Sequence, residues 1–251
     1  MNLVKNIIKT IGYFAGGGKG NISLSYGNTF KRPDDFKSKN FNFFVSGRDN
    51  MISIGRNFNS KDFELTIKGT NNKVIIGDNF INKGQCKILV IGSNNKIVIG
   101  NDVQIVTQLA IYNHDNSKDC KINIGNKTSF YKTEISTYDN GSSIEIGEDC
   151  MFAFDTIIYN TDGHSIFQNG NLINKADKLV IGDHVWCGWG CAILKNSYLP
   201  SGCIVGKSAV VAKKFEKENV VIAGNPAKII KENICWDRKS VNETQTGLFV
   251  Q

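Results

Sequence analysis

Three prolines in 251 residues, 21% charged residues and no proline-rich tract exclude a collagen-like or disordered polymer. No CxxC pair occurs among the seven cysteines, Cys86, Cys120, Cys150, Cys187, Cys191, Cys203 and Cys235. An odd, scattered set on a chain without a secretory leader predicts reduced thiols and a cytoplasmic location. No apolar run spans a bilayer: the one near the N-terminus, residues 3–14, is short and broken by Lys5 and Lys9. Leu3, Ile7, Ile8 and Ile11 share one helical face, predicting a short amphipathic helix that either packs on the body or makes peripheral contact with the inner face of a membrane. The three histidines, 50 and 20 residues apart, offer no short ligand pair, so no metal is expected. No basic run is interleaved with aromatics, which argues against a nucleic-acid groove.

What is present points to many short strands. The chain is 41% hydrophobic, and 32 isoleucines stand beside 30 asparagines and 25 glycines, a strand former together with residues that tolerate tight turns. The net charge of +7 is uneven, because residues 207–239 hold eight basic residues against four acidic ones. That excess suits either an anionic ligand or a solvated tail. Gly16-Gly17-Gly18-Lys19-Gly20 lacks the strand, the spacing and the Ser/Thr of a phosphate loop and reads as a flexible joint.

One phrase recurs: an apolar residue, any residue, then Ile-Gly, with an apolar or small residue three positions later. It ends at Gly55, Gly77, Gly100, Gly125, Gly147 and Gly182, followed by Phe58, Phe80, Val103, Thr128, Cys150 and Val185. The spacings are 22, 23, 25, 22 and 35 residues, so the fifth carries an insertion, roughly residues 160–177. Beyond Ile181 the period tightens to six, with Ile181, Cys187, Ile193, Leu199, Val205 and Val211 at one phase and Val185, Cys191, Ser197, Cys203 and Ala209 at another. A period of six suits neither a helix nor a flat strand; it suits a prism of short parallel strands with inward ladders. On that phase the cysteines at 150, 187, 191 and 203 act as small buried hydrophobes.

This pattern resembles the hexapeptide-repeat acyltransferases over about residues 47–236. The resemblance implies an all-β fold, a left-handed parallel β-helix with a protruding active-site loop and short terminal helices. Each 22-residue spacing would then be an eighteen-residue coil plus a four-residue bulge. The expected organisation is an N-terminal capping segment over 1–46, the β-helix over 47–215 with the loop at 160–177, and a C-terminal segment over 216–251.

The insertion carries Asp162-Gly163-His164-Ser165-Ile166, then Asn174-Lys175-Ala176-Asp177, and leads into Ile181-Gly182-Asp183-His184-Val185-Trp186. His164 is the one histidine in this polar excursion, and an imidazole can take a proton from a hydroxyl near neutral pH. Asp162 either orients that ring or caps the turn. His114, in the other over-long spacing, rims a site or sits in a solvated turn. His184 either lines the same cleft or is a surface histidine, and Trp186 and Trp189 face outward, as a sugar platform or a subunit contact.

The segment is similar to the sugar O-acetyltransferase branch that modifies capsular and O-antigen polysaccharides. That resemblance implies an acetyl-CoA-dependent O-acetyltransferase, with His164 as general base, Trp186 beside the acceptor, and a homotrimer with sites between subunits. It also carries Gly188, Trp189, Lys207, Lys213, Asn225, Pro226, Lys228 and Lys231 to the coenzyme, Trp189 through its backbone amide at the thioester carbonyl and the last two lysines at the 3′-phosphate. The family ordinarily has smaller residues where Trp189 and Lys207 stand. An amino-sugar N-acetyltransferase and a catalytically silent β-helix are the rival readings.

Overall fold

The computed structural model describes residues 7–14 and 18–243, without the side chains of residues 7–14, 18, 19, 114 and 115. The chain begins as an antiparallel hairpin of β1 (Ile7–Phe14) and β2 (Gly18–Ser25). The helix expected over 3–14 is therefore a strand where it is described, and Leu3 lies outside the described residues. The segment is rich in β-branched and aromatic residues, and pairing with β2 gives its backbone ladder bonds. Membrane contact through a helical face loses its basis, and among the described residues no helix is long and apolar enough to cross a membrane. Gly18 to Gly20 belong to β2 rather than to a flexible joint, and among the described residues the expected terminal helices reduce to one 3₁₀ turn, Val241–Glu243.

After β3 (Thr29–Lys31) long and short strands alternate: β4 (Lys37–Arg48), β5 (Met51–Ile54), β6 (Asn59–Thr70), β7 (Lys73–Ile76), β8 (Ile81–Ser93), β9 (Lys96–Ile99), β10 (Gln104–Lys118), β11 (Lys121–Ile124) and β12 (Ser129–Ser136). The short strands are the repeated phrase, stacked in parallel with Ile54 beside Ile76, Ile99, Ile124 and Ile146. The extra residues of these wide coils do not form one four-residue bulge; the register slips only locally, between Ser60 and Asp62, Ile105 and Gln108, and Asn113 and Ser117. Most of them lengthen β4, β6, β8 and β10 to 12–15 residues, where joining a ladder pairs the backbone N–H and C=O groups. The ladders also begin before residue 47, because β2 pairs with β4 and β3 with β5, where Phe30 takes the place that Ile52 holds one coil later.

The coil then changes shape. Above β12 its single side divides between two short strands, since β14 (Met151–Phe152) pairs with the start of β12 and β15 (Thr156–Tyr159) with its end, after β13 (Ser143–Ile146). The insertion follows, with a small hairpin of β16 (Phe167–Gln168) and β17 (Asn171–Leu172). Three-sided coils continue as β18 (Lys178–Ile181), β19 (Trp186–Cys187), β20 (Ala192–Leu194), β21 (Tyr198–Leu199), β22 (Ile204–Val205) and β23 (Val210–Val211). Here Ile181 pairs with Leu199, Cys187 with Val205 and Ile193 with Val211, each the eighteen-residue step of three hexapeptides. An antiparallel hairpin of β24 (Val221–Ala223) and β25 (Lys228–Lys231) ends the ladder.

One buried corner column runs the length of the coil. Phe36, Phe58, Phe80, Val103, Thr128, Cys150, Val185, Cys203 and Val220 succeed one another, aromatic in the first three coils and smaller from Val103 on. Phe36, Phe58 and Phe80 stack at 4.8 and 5.1 Å with rings nearly parallel. The cysteines at 150, 187, 191 and 203 are all buried, and desolvation pushes the Cys150 thiol up to about 12, which leaves it an inert packing group. A second corner is an asparagine ladder, in which the Oδ1 of Asn28, Asn50, Asn72 and Asn95 accepts the backbone N–H one coil on. It satisfies buried amides at the turn, which accounts for part of the asparagine content.

Candidate active site

The insertion leaves the body where the coil becomes three-sided, and a few polar side chains frame it. Asn160, fully buried, donates to the carbonyls of Ser143 at 2.8 Å and Asp177 at 3.2 Å, closing the loop's two ends. Asp139 accepts from Thr161 Oγ1 at 2.7 Å and from the Ala176 N–H at 3.0 Å. Asn174 spans the interior: its Oδ1 receives the Ile166 N–H, and its Nδ2 donates to the His164 carbonyl at 2.8 Å and to Asp162 at 2.9 Å. The backbone that carries His164 is thus pinned while its side chain stands exposed. Gly163 has φ +75°, and a side-chain carbon there would meet the Tyr138 hydroxyl at 2.8 Å, so the bend needs glycine twice over.

Asp162 braces the loop, while Thr161 Oγ1 accepts the Gly163 N–H of the turn at 3.0 Å. The Asp162 Oδ2 also receives Lys195 Nζ at 2.6 Å, and no hydrogen bond or ion pair joins this carboxylate to the His164 ring among the described residues. Burial opposes its charge, but the hydrogen bonds from Lys195 and Asn174 outweigh burial and hold the carboxyl below the usual aspartate range. Under the loop lies a cavity of about 270 Å³ whose lining includes Tyr112, Glu134, Tyr138, Tyr159, Asp162 and Gly163. Single motifs did not reveal this pocket. The available signal was periodic, because Tyr112, Ser136 and Tyr159 occupy one register position on successive coils.

His184 and Trp186 are brought to the C-terminal segment instead of the loop. The His184 ring stacks on Trp236 at 4.0 Å, its Nδ1 meets Asp149 Oδ2 at 2.8 Å, and its Nε2 meets the Trp236 carbonyl at 3.0 Å. Trp236 donates its indole N–H to the His184 carbonyl and lies 5.9 Å from Trp186. Arg238 completes this strap through Asp149, Ser129 and the Lys127 and Cys150 carbonyls. Of the three histidines, His114 has its backbone in β10, and its side chain lies outside the described residues.

The strap carries a pH prediction. Burial works against the Asp149 carboxylate, but the Arg238 and His184 hydrogen bonds prevail and depress its pKa. A depressed carboxyl stabilises the folded contact above its ordinary pKa of ~3.9 and loses that contribution as pH falls through the folded value. Docking of the strap should therefore be complete above about pH 4 and weaken below it. Tryptophan fluorescence against pH should show that step in the wild type, and Arg238→Ala should shift it upward; an unshifted step would separate it from Asp149.

The coenzyme candidates lie on neighbouring coils. Trp189 is 53% exposed, donates its indole N–H to Asp155 at 3.1 Å and rests against Phe154 at 5.2 Å, with Lys207 Nζ 5.9 Å from its ring centroid. Its side chain is thereby drawn along the surface toward the preceding coil. Gly188 sits where a side-chain carbon would crowd the Val205 carbonyl at 2.9 Å. Asn225 and Pro226 form the turn between β24 and β25, Lys228 and Lys231 are exposed on β25, and Lys213 lies over the Phe215 ring at 4.8 Å.

No protein-family model matches the chain. Among curated relatives, a polysialic acid O-acetyltransferase of Neisseria meningitidis is 38% identical over 128 residues, 50% of this chain and 59% of that protein. One from Escherichia coli O1:K1 / APEC is 34% identical over 124 residues, 49% of this chain and 40% of that protein. The matched stretches thus span about half the length of these relatives. Solved structures are matched over nearly their whole length. The polysialic-acid-specific acetyltransferase NeuO aligns with a TM-score of 0.70 and 30% identity over 84% of this chain and 93% of that one. The polysialic acid O-acetyltransferase OatWY aligns with a TM-score of 0.63 and 32% identity over 87% and 95%. The coil shares their left-handed parallel β-helix, and on that identity, carried across more than nine-tenths of both solved chains, this chain belongs to the hexapeptide-repeat acyltransferase family of β-helix proteins.

Proposed function

We propose that the protein transfers an acetyl group from acetyl-CoA to a hydroxyl of a sugar in a bacterial surface polysaccharide or its precursor. The observation that carries this reading is His164, exposed on a backbone pinned by Asn174 beside a tyrosine-lined cavity, in a chain related to polysaccharide O-acetyltransferases. His164 takes the proton of the acceptor hydroxyl as its oxygen attacks the thioester carbonyl. The backbone amide at Trp189 stabilises the oxyanion, the new C–O bond persists, the C–S bond breaks, and the leaving thiolate recovers the proton from His164. Asp162 acts on the loop rather than on the ring. Donor and acceptor meet directly, so no covalent enzyme intermediate is formed.

His164 stands on the loop while Trp186 lies 5.9 Å from Trp236 of the C-terminal segment, and the shared site is read as forming with a neighbouring copy. A homotrimer, as the resemblance implies, supplies one, and light scattering checks it as a threefold mass. The coenzyme assigns the reaction to the cytoplasm. Incubating the protein with labelled acetyl-CoA and bacterial glycans, followed by mass spectrometry, tests the activity: an alkali-labile acetyl ester supports it, and label on nitrogen favours the N-acetyltransferase.

The exposed lysines of β25 suit a polyanionic coenzyme. Replacing Lys228 and Lys231 by alanine is expected to weaken coenzyme A binding about tenfold and flatten its salt dependence, while 3′-dephospho-coenzyme A binds as before. Equal losses for both ligands would assign these lysines to structure.

A further inference from the structure

Parallel register puts Tyr112, Ser136 and Tyr159 in one row and Ala110, Glu134 and Ile157 in the next. These rows floor two adjoining hollows of about 270 and 190 Å³, and Glu134 lines both. The first opens at Asp162 and Gly163 of the loop. The second is bordered by Asp155, the residue that receives the Trp189 indole. Together they connect the His164 loop to the coil of Trp189.

Three carboxylates border this furrow, and two are neutralised. Asp162 pairs with Lys195 and Asp155 with Lys132, each at 2.6 Å. Glu134 is half-buried and, among the described residues, has no basic partner; its Oε1 accepts a short hydrogen bond from the Tyr159 hydroxyl. Burial, and then the Glu134 carboxylate, push the Tyr159 hydroxyl above its ordinary range, so it remains a donor at neutral pH. An ionised carboxylate only accepts hydrogen bonds, and its remaining lone pairs face a hollow walled by tyrosine rings. Sugar hydroxyls are donors and sugar C–H faces stack on aromatic rings, whereas a second carboxylate in this hollow would meet the Glu134 carboxylate, which no basic side chain among the described residues pairs.

We propose that Glu134, with Tyr112 and Tyr159, forms an acceptor subsite that selects a neutral, hydroxyl-rich saccharide over an acidic one. The assignment of its occupant as acceptor rests on the acetyltransferase reading of the His164 loop. The subsite departs from the polysialic acid named for the relatives.

Isothermal titration of the full chain without coenzyme tests the subsite separately from catalysis. The probes are neutral hexasaccharides of glucose, galactose and mannose, an α2,8-linked sialic acid hexamer, and a glucosamine hexamer. At least one neutral probe is expected to bind about tenfold more tightly than the sialic acid hexamer; Glu134→Ala should weaken it about tenfold, and Glu134→Gln, which keeps one acceptor oxygen, about threefold. Circular dichroism melting verifies that both variants fold. Tighter binding of the sialic acid hexamer, no binding of any neutral probe, or Glu134→Ala within twofold of wild type overturns the subsite. Preference for the glucosamine hexamer, abolished by Glu134→Gln, overturns it in favour of an ammonium site. Neutral binding without acetyl transfer to any probe would instead overturn the enzymatic reading and leave the subsite standing.

Discussion

Replacing His164 by alanine is expected to lower kcat for acetyl transfer by about 10² to 10⁴, the usual worth of a positioned general base, with coenzyme binding and thermal unfolding unchanged. The separation of effects follows from how the loop is held. Asn174 grips the His164 carbonyl and Asp162, Asp139 clamps Thr161 and Ala176, and Asn160 ties the two ends, so none of the framing contacts uses the imidazole. The exposed ring also contributes little packing, so its removal leaves neither a cavity nor a stranded buried partner. Steady-state kinetics with acetyl-CoA and a transferred acceptor checks this; a kcat within threefold of wild type would remove His164 from the reaction.

Phe58→Ala should be the corresponding blow to the fold, costing about 3 to 5 kcal/mol. Phe58 is fully buried between Phe36 and Phe80 in a face-to-face column and meets Phe63 edge-on at 5.4 Å. Its deletion leaves a void at a corner whose walls are ladder-bonded backbone on two coils, and such walls cannot close in. Phe58→Leu should cost roughly half as much, because most of the volume is refilled. Urea unfolding at fixed protein concentration gives both values. A loss below about 1 kcal/mol for the alanine variant would mean that the wide coils collapse around missing volume.

The contrast between the two substitutions follows what could be read at each level. The isoleucine phase, the six-residue period, the inward cysteines and the position of the inserted loop are all visible in the chain order, because a ladder forces each coil to repeat the same residue type at the same step. Residues 18–46 hid the same coil, since Phe30 stands where later coils have isoleucine and Arg32-Pro33 replaces the Ile-Gly pair, although Phe36 keeps the corner. The apolar residues at 3, 7, 8 and 11 predict a helical face from local spacing, and pairing of Ile7–Phe14 with Gly18–Ser25 overrides that preference.

Sequence by itself determined the coil, its phase, its thiols and the break that carries His164, since these depend on local period and on what one buried ladder position accepts. Tertiary structure alone decided how wide each coil is, because a residue added to a side can join a long strand or bulge out, and only pairing with the neighbouring coil chooses between them. It also decided the company kept by the polar residues. His184 is claimed by Asp149 and Trp236, which lie 35 and 52 residues away, and Asp162 by Lys195, 33 residues on. Glu134 meets Tyr159 across one coil. Such pairings arise from stacking coils of unequal length, so the sum of all coil lengths, not any motif, sets which side chains face one another.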